Sequence, residues 1–188
     1  MKRLLAALVV LLALAITPAR AQSDEAAIRS IVRNLYSDYQ TKAASPSIRD
    51  PRATARFAAV EKQCAETARL LDKKEPDSSY GYCANDYGVW CQCQDFEGID
   101  FAHMKVEVKI AGADGAATLW FTGGEGPDLR LAFRRAGKGW ALDDIWEYPV
   151  PEGDEPAPEA TSYRTRLVSD INEMRATLKL PPWTEPKI

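Results

Sequence analysis

Apolar side chains recur every three or four residues in three stretches of the chain, which predicts three amphipathic helices. The first begins at Ser23, a residue type that caps helix N-termini well. The second begins at Asp50-Pro51, with Pro in the first turn, and runs to about Asp72. The third is stopped by Pro181-Pro182. The core-facing positions are, in order, Ile28, Ile31, Val32, Leu35, Tyr36 and Tyr39; Phe57, Val60, Cys64, Ala68 and Leu71; and Tyr163, Leu167, Ile171, Met174 and Leu178.

Between the second and third helices the period changes to two, which predicts β-strands. Four alternating runs cover residues 105–110, 117–122, 129–134 and 140–147. Turn signals separate them, and Asp114-Gly115 is the expected turn of the first hairpin. Short turns between consecutive strands indicate an antiparallel meander of at least four strands. Helices before and after such a sheet indicate an α+β fold in a single domain.

The start of the chain has the layout of a secretory signal peptide. Basic residues precede an unbroken apolar run of 13 residues, Leu4–Ile16, and Ala19-Arg20-Ala21 is an A-x-A cleavage site. The run is too short to span a bilayer, and no Cys follows it to accept a lipid. We therefore expect cleavage after Ala21 and a periplasmic or secreted protein with no membrane span after cleavage.

The remaining boundaries follow from composition. Residues 22–147 hold the predicted helices and strands of the core. Residues 148–160 are rich in Pro and acids, which is typical of an extended spacer. Residues 161–188 hold the C-terminal helix and a tail.

The charge balance excludes some partners. The chain has 24 Lys+Arg against 27 Asp+Glu and a formal charge of −3. Loss of Lys2, Arg3 and Arg20 with the signal peptide would lower this charge to −6. Nucleic acids and anionic membrane surfaces attract proteins with an excess of Lys and Arg, so we expect neither as a partner.

Four cysteines, Cys64, Cys83, Cys91 and Cys93, are expected to form two disulfides, because exported proteins fold in oxidising compartments. In an extended segment Cys91 and Cys93 would lie about two strand steps apart, near the limit for a bridge. We therefore expect Cys64 and Cys83 each to pair with one of them. The spacing matches neither structural zinc nor a C-x-x-C redox motif, so no metal and no cofactor is expected.

The order of elements resembles the nuclear-transport-factor-2-like superfamily. Within it the chain is similar to a bacterial exported branch, domain-of-unknown-function family 3828. The residues that carry the resemblance are Cys91-Gln92-Cys93-Gln94-Asp95 before the sheet and Trp140-Ala141-Leu142-Asp143-Asp144-Ile145 in the last core strand. The resemblance implies a cone-shaped domain in which helices cover the concave face of a curved sheet. It implies no reaction, because this superfamily includes enzymes, ligand carriers and protein-binding domains.

Acids on the last core strand are the weak catalytic candidates. With strict alternation Asp144 shares one face with Trp140 and Leu142, and Asp143 shares the other face with Ala141 and Ile145. One acid is therefore expected among apolar neighbours whichever face is buried, with a raised pKa suited to proton transfer, and Asp144 is the first candidate. Asp95, at the entry to the sheet, is the second candidate. The alternative is that such acids bind backbone N–H groups or reach solvent. His103 is the single histidine, and no hydrolase or metalloprotease motif is present.

Aromatic residues are the candidates for binding a ligand or a partner, because aromatic side chains concentrate interface energy. They cluster around the cysteines, on the first helix and on the strands, and the alternative for each is a place in the core. The candidates are Tyr36, Tyr39, Tyr82, Tyr87, Trp90, Trp120 and Trp146.

These features favour a non-enzymatic binding or accessory module of the cell envelope. Its partner would be an unknown protein or a small ligand, and an immunity protein or an envelope-accessory subunit is a concrete version. The alternative is a small-molecule cavity enzyme of the isomerase or dehydratase type that uses a buried Asp.

Overall fold

The computed structural model describes residues 22–37, 52–83, 88–93, 99–124, 126–149 and 159–187. The helices in these ranges are α1 (residues 22–37), α2 (Ala55–Lys74) and α3 (Tyr163–Thr177). The strands are β1 (Lys105–Ala111), β2 (Asp114–Trp120), β3 (Leu129–Ala136), β4 (Gly139–Glu147) and β5 (Thr161–Ser162). A short 3-10 turn, Phe101–His103, precedes β1. The predicted signal peptide and most of the predicted spacer lie outside the described residues.

The strands form one curved, unclosed sheet in the order β1-β2-β3-β4-β5, and every neighbouring pair is antiparallel. The predicted meander is confirmed, and so is the α+β fold in which N-terminal helices pack on a cone-like sheet that is followed by a C-terminal helix. The apolar faces of the three helices and the inner face of the sheet share one buried core. In the part of the chain that the structure describes, no helix has the length and apolar character that crossing a membrane requires.

The first hairpin turns two residues earlier than predicted. Ala111 pairs with Asp114, so Gly112 and Ala113 form the turn, and Gly112 has a φ of 64° that suits glycine. Gly115 has a different role, because a Cβ built on it would lie 2.6 Å from Cδ1 of Ile28. This glycine therefore lets α1 approach the sheet closely.

A β-bulge breaks the alternation that the sequence predicts for β4. The register between β3 and β4 shifts so that Asp143 is the extra residue between the pairs Phe133–Leu142 and Ala132–Asp144. After the bulge Ile145 pairs with Leu131 and faces the core. Asp144 consequently lies on the outer face with Ala132, and the predicted grouping of Asp144 with Trp140 and Leu142 is wrong.

Residues 52–54 delay the start of α2, which was expected at Asp50-Pro51. The backbone N–H of Thr54 donates to the carbonyl of Leu142 at 2.7 Å, and the N–H of Leu142 donates to the carbonyl of Arg52 at 2.9 Å. This short parallel pairing holds the segment extended against β4. The helix begins only at Ala55, with the Thr54 hydroxyl as its N-cap.

The cysteines do form two disulfides, but the expected pairing is wrong. Cys64 is bonded to Cys83, and Cys91 is bonded to Cys93. The prediction failed because the segment is not extended: Gln92 has a φ of 52°, in the left-handed region, and the two Cα atoms that flank it are 5.1 Å apart. The expected position of Cys64 on the buried face of α2 is confirmed, since it is 1% exposed.

Candidate binding groove beside the first helix

An open groove of about 390 Å³ lies between α1, the 3-10 turn and β1, which is an edge strand of the sheet. Its helical side is formed by Arg29, Arg33, Tyr36 and Ser37, which follow one another on α1 at intervals of four, three and one residues. This spacing places them in one stripe of the helix surface. The lining of the groove consists of Arg29, Arg33, Tyr36, Ser37, Phe101, Ala102, Met104 and Val106. The groove therefore combines two guanidinium groups with an aromatic and aliphatic wall.

The two arginines of the groove differ in their bonding. Arg29 donates to the carbonyl oxygen of Val106 at 2.7 Å and pairs with Glu25 at 2.8 Å, so it fastens α1 to the edge strand. Arg33 is exposed and has no ion pair or hydrogen-bond partner among the described residues. Within the described part of the chain, the charge of Arg29 is compensated and that of Arg33 is not.

The floor of the groove is aromatic. The rings of Tyr36 and Phe101 have centroids 5.2 Å apart, and Phe101 packs in turn on Phe121 at 5.3 Å. The Tyr36 hydroxyl donates to the carbonyl of Trp90 at 2.8 Å, so this buried residue presents its ring rather than its hydroxyl. An apolar floor beneath a cationic rim suits a ligand with one apolar end and one anionic end.

Asp100 shapes the end of the groove without lining it. As N-cap of the 3-10 turn, it accepts from the backbone N–H groups of Ala102 and His103 at 3.0 and 3.3 Å. Nδ1 of His103 lies 2.6 Å from the other carboxylate oxygen, and this contact holds the pKa of Asp100 below its ordinary value. Both side chains are exposed. Asp100 therefore binds backbone N–H groups and reaches solvent, as the non-catalytic alternative for acids near the sheet predicts.

The aromatic candidates are dispersed. Tyr36 lines the groove and Trp90 is fully buried behind it, whereas Tyr82 is half-buried against the core. Trp120 and Trp146 lie on the outer face of the sheet, beneath Lys105 at 4.2 Å and Arg130 at 4.5 Å respectively. Three further candidates, Tyr39, Tyr87 and Asp95, lie outside the described residues.

Asp144 is fixed by structural donors. Its carboxylate accepts from the backbone N–H of Ile145 at 2.8 Å, the hydroxyl of Ser162 at 2.7 Å and the backbone N–H of Arg164 at 3.0 Å. The last two partners belong to β5 and the first turn of α3. This aspartate therefore anchors the start of α3 and contributes nothing to the lining of the groove.

The neighbouring Asp143 is the centre of an ionic network. It accepts from Thr54 at 2.8 Å and from Arg56 at 2.6 Å on one side, and from Arg164 at 2.9 Å on the other. Burial raises its pKa, but the hydrogen bonds from Arg56, Thr54 and Arg164 outweigh burial and hold the pKa below its ordinary value. The bulge that turns this acid outward thus joins β4 to the starts of α2 and α3.

Two largely buried glutamates, Glu61 and Glu147, lie where α2, α3 and β4 meet. Burial raises the pKa of Glu61 to about 7, opposed by a hydrogen bond with Tyr163. Burial and the charge of Asp144 raise the pKa of Glu147 to about 7, although Arg166 is 3.2 Å away, because that guanidinium is itself partly in solvent. Both glutamates border Tyr163, and their charges add to the burial that raises its pKa.

Arg29, Arg33, Phe101 and Met104 line the groove but are not among the residues predicted from the sequence. The signal for the arginines was present, because positions 29, 33 and 36 follow the spacing of one helical stripe. Phe101 and Met104 carry no comparable signal, since their place depends on how the 3-10 turn meets α1. Within the described ranges, no three His, Cys, Asp or Glu side chains converge in a way that could hold a metal ion.

Comparison with family models, with curated proteins and with solved structures finds no match for this chain. The resemblance to the nuclear-transport-factor-2-like superfamily and to family 3828 stays a prediction.

Proposed function

We propose that this protein is an exported, non-enzymatic binding module whose groove takes a small amphipathic anion, such as an arylalkyl carboxylate. The observation that carries the proposal is the Arg33 guanidinium, which no acid among the described residues pairs with and which lines the same groove as the aromatic rings of Tyr36 and Phe101. The curved antiparallel sheet also supports the proposed kinship with the nuclear-transport-factor-2-like superfamily and family 3828. An immunity or envelope-accessory role is one form that such a module takes.

Export is supported by the cysteines. Two disulfides account for all four, and disulfides persist in oxidising compartments such as the periplasm. The basic, apolar and A-x-A order of the first 21 residues supports the same proposal.

The ligand class follows from the charges in the groove. A neutral apolar ligand would leave Arg33 without a partner, and a small inorganic anion would leave the aromatic floor unused. A carboxylate joined to a ring by a short chain satisfies both, because guanidinium groups pair well with carboxylates and rings pack against rings.

The described residues give the enzymatic alternative less support. It needs a carboxylate within an apolar cavity that admits substrate, and Asp144 instead holds the start of α3. Neither that aspartate nor the Glu61 and Glu147 pair lines the groove.

Calorimetric titration with 4-phenylbutyrate tests the proposal. We expect saturable binding that weakens as salt rises, and much weaker binding of the neutral 4-phenylbutan-1-ol. Arg33→Gln should weaken carboxylate binding roughly tenfold, since a charge-assisted hydrogen bond contributes about 1.5 kcal/mol.

Arg69→Gln is the matched control, because Arg69 is an exposed arginine on α2 away from the groove. It should leave the affinity unchanged. Equal affinity for the acid and the alcohol, or equal losses in the two variants, would contradict the proposal.

A further inference from the structure

We propose that the Cys91–Cys93 disulfide is a reversible thiol–disulfide exchange site, which a dithiol reduces while the fold and the Cys64–Cys83 disulfide persist. The inference is independent of the proposed ligand. It rests on the different places that the two disulfides occupy in the fold.

The two bonds constrain very different lengths of chain. Cys64 and Cys83 are 19 positions apart, and their bond ties the segment after α2 back to that helix. Cys91 and Cys93 are two positions apart. Because a disulfide stabilises a fold mainly by restricting the unfolded chain, and does so more for longer loops, the short ring adds little. The fold therefore tolerates its opening.

The short ring also holds an unfavourable backbone conformation. Gln92 lies inside this ring with a φ of 52°, which a non-glycine residue adopts at a cost. Cys83 has a φ of 56° as well, but it stands at the end of a loop of 19 residues and its N–H is held by Asp170, so opening the long bond does not free it in the same way. Opening the short ring frees Gln92 to relax, so the cost favours the reduced form. The equilibrium constant for reduction should consequently rise by about tenfold.

The surrounding contacts keep the sulfurs close after reduction. The N–H of Gly88 donates to the carbonyl of Cys93 at 2.7 Å, and the N–H of Cys91 donates to the carbonyl of Gly88 at 3.1 Å. The Gln92 side-chain amide donates to the carbonyl of Asp128 at 2.8 Å. Because none of these bonds uses a sulfur atom, they keep the two cysteines near each other in the dithiol while the φ of Gln92 relaxes, so that the disulfide can form again.

The surroundings of the two bonds differ, although their burial is alike. Each bond joins a buried cysteine, Cys64 or Cys91, to a half-buried one, Cys83 or Cys93. The backbone N–H of Cys83 donates to Asp170 of α3 at 2.9 Å, so the long bond connects a segment that is also held by a second helix. The Cys91–Cys93 bond lies within one short segment and joins no second element.

Reduction of the Cys91–Cys93 bond takes place in two exchange steps. One thiolate of an external dithiol attacks Sγ of Cys93, the Cys91–Cys93 bond breaks, and the Cys91 sulfur leaves and takes up a proton. The second thiol of the dithiol, as its thiolate, then attacks the dithiol sulfur of the mixed disulfide. The Cys93 sulfur leaves and takes up a proton. The protein disulfide is reduced to two thiols and the dithiol is oxidised to a cyclic disulfide.

The test equilibrates the full folded chain with graded ratios of reduced to oxidised dithiothreitol. After acid quenching, maleimide alkylation and tandem mass spectrometry report the reduced fraction of each pair, and circular dichroism reports the fold. We expect Cys91 and Cys93 to be half reduced at a dithiol ratio about tenfold lower than Cys64 and Cys83, with an unchanged spectrum. Joint reduction of both pairs, or loss of the spectrum in step with Cys91–Cys93 reduction, would overturn the proposal.

Two substitutions test the backbone argument. Gln92→Gly removes the cost of the positive φ and should raise the ratio needed to reduce Cys91–Cys93 by about tenfold. Gln92→Ala keeps that cost and removes only the side-chain amide, so it should move this midpoint little. The Cys64–Cys83 midpoint is the internal control and should be equal in all three proteins. If Gln92→Gly and Gln92→Ala behave alike, the backbone argument is wrong.

Discussion

Replacement of Glu61 by Gln should stabilise the protein at alkaline pH and change little in mild acid. Glu61 sits on α2 beside Tyr163, and burial raises its pKa from 4.5 to about 7. One of its carboxylate oxygens is buried with no hydrogen-bond partner among the described residues. Ionisation of this carboxylate therefore opposes folding.

The direction and size of the change in unfolding free energy with pH follow from the linkage between proton binding and folding. Between pH 4.5 and about 7 the unfolded chain has lost the Glu61 proton while the folded chain retains it, so stability falls as pH rises. At 1.36 kcal/mol per pKa unit the shift amounts to about 3 kcal/mol above pH 7 and under ~1 kcal/mol at pH 5. Gln cannot ionise and still bonds Tyr163, so Glu61→Gln should recover most of that difference.

Urea unfolding at pH 5 and pH 8 measures the effect. We expect the gain of Glu61→Gln over the unsubstituted protein to be larger at pH 8 by about 2 kcal/mol. Glu66→Gln is the matched control, because Glu66 is an exposed carboxylate on the same helix. It should show no such difference. An equal effect of Glu61→Gln at the two pH values, or destabilisation at pH 8, would refute the reasoning.

Three further substitutions test the fold. Gly115→Ala should lower the free energy of unfolding by about 1 to 3 kcal/mol, because the new Cβ would clash with Cδ1 of Ile28. Gly124→Ala is the control, since its Cβ would meet no close neighbour, and it should cost less in the same urea titration. Asp144→Ala should cost about 3 kcal/mol by leaving the donors of Ser162 and Arg164 without their acceptor, and a loss under ~0.5 kcal/mol would contradict its anchoring role. Cys64→Ala opens the long disulfide loop and should cost about 3 kcal/mol, so unchanged thermal melting would count against a stabilising bond.

The features that the sequence predicts best are those that depend on local periodicity. The helical face of Ile28, Val32, Leu35 and Tyr36 is buried as predicted, because the same repeat that forms the helix also selects its buried side. The alternation of β1 likewise survives in its burial pattern. Such features depend on neighbours along the chain, which the sequence shows directly.

The errors arose where distant segments meet. The bulge at Asp143 depends on the register between β3 and β4, and the late start of α2 depends on pairing of Thr54 with Leu142. The disulfide pairing depends on the left-handed φ of Gln92, and a glutamine in the sequence does not indicate such a conformation. Each is decided by tertiary contacts that override local preference.

The site was predictable only in part. Tyr36 is one of the aromatic residues predicted as binding candidates, and its ring lines the groove. Arg33 is not among the predicted site residues, although its spacing from Tyr36 places both on one stripe. The facing wall comes from the 3-10 turn after residue 99, and its meeting with α1 has no local signature.

A crystal structure of the full chain soaked with 4-phenylbutyrate tests the proposed binding mode most directly. We expect density for the ligand between α1 and β1, with its carboxylate hydrogen-bonded to Arg33 and its ring against Tyr36 and Phe101. Density at another surface with the groove empty, or a ligand whose carboxylate points away from Arg33, would contradict it.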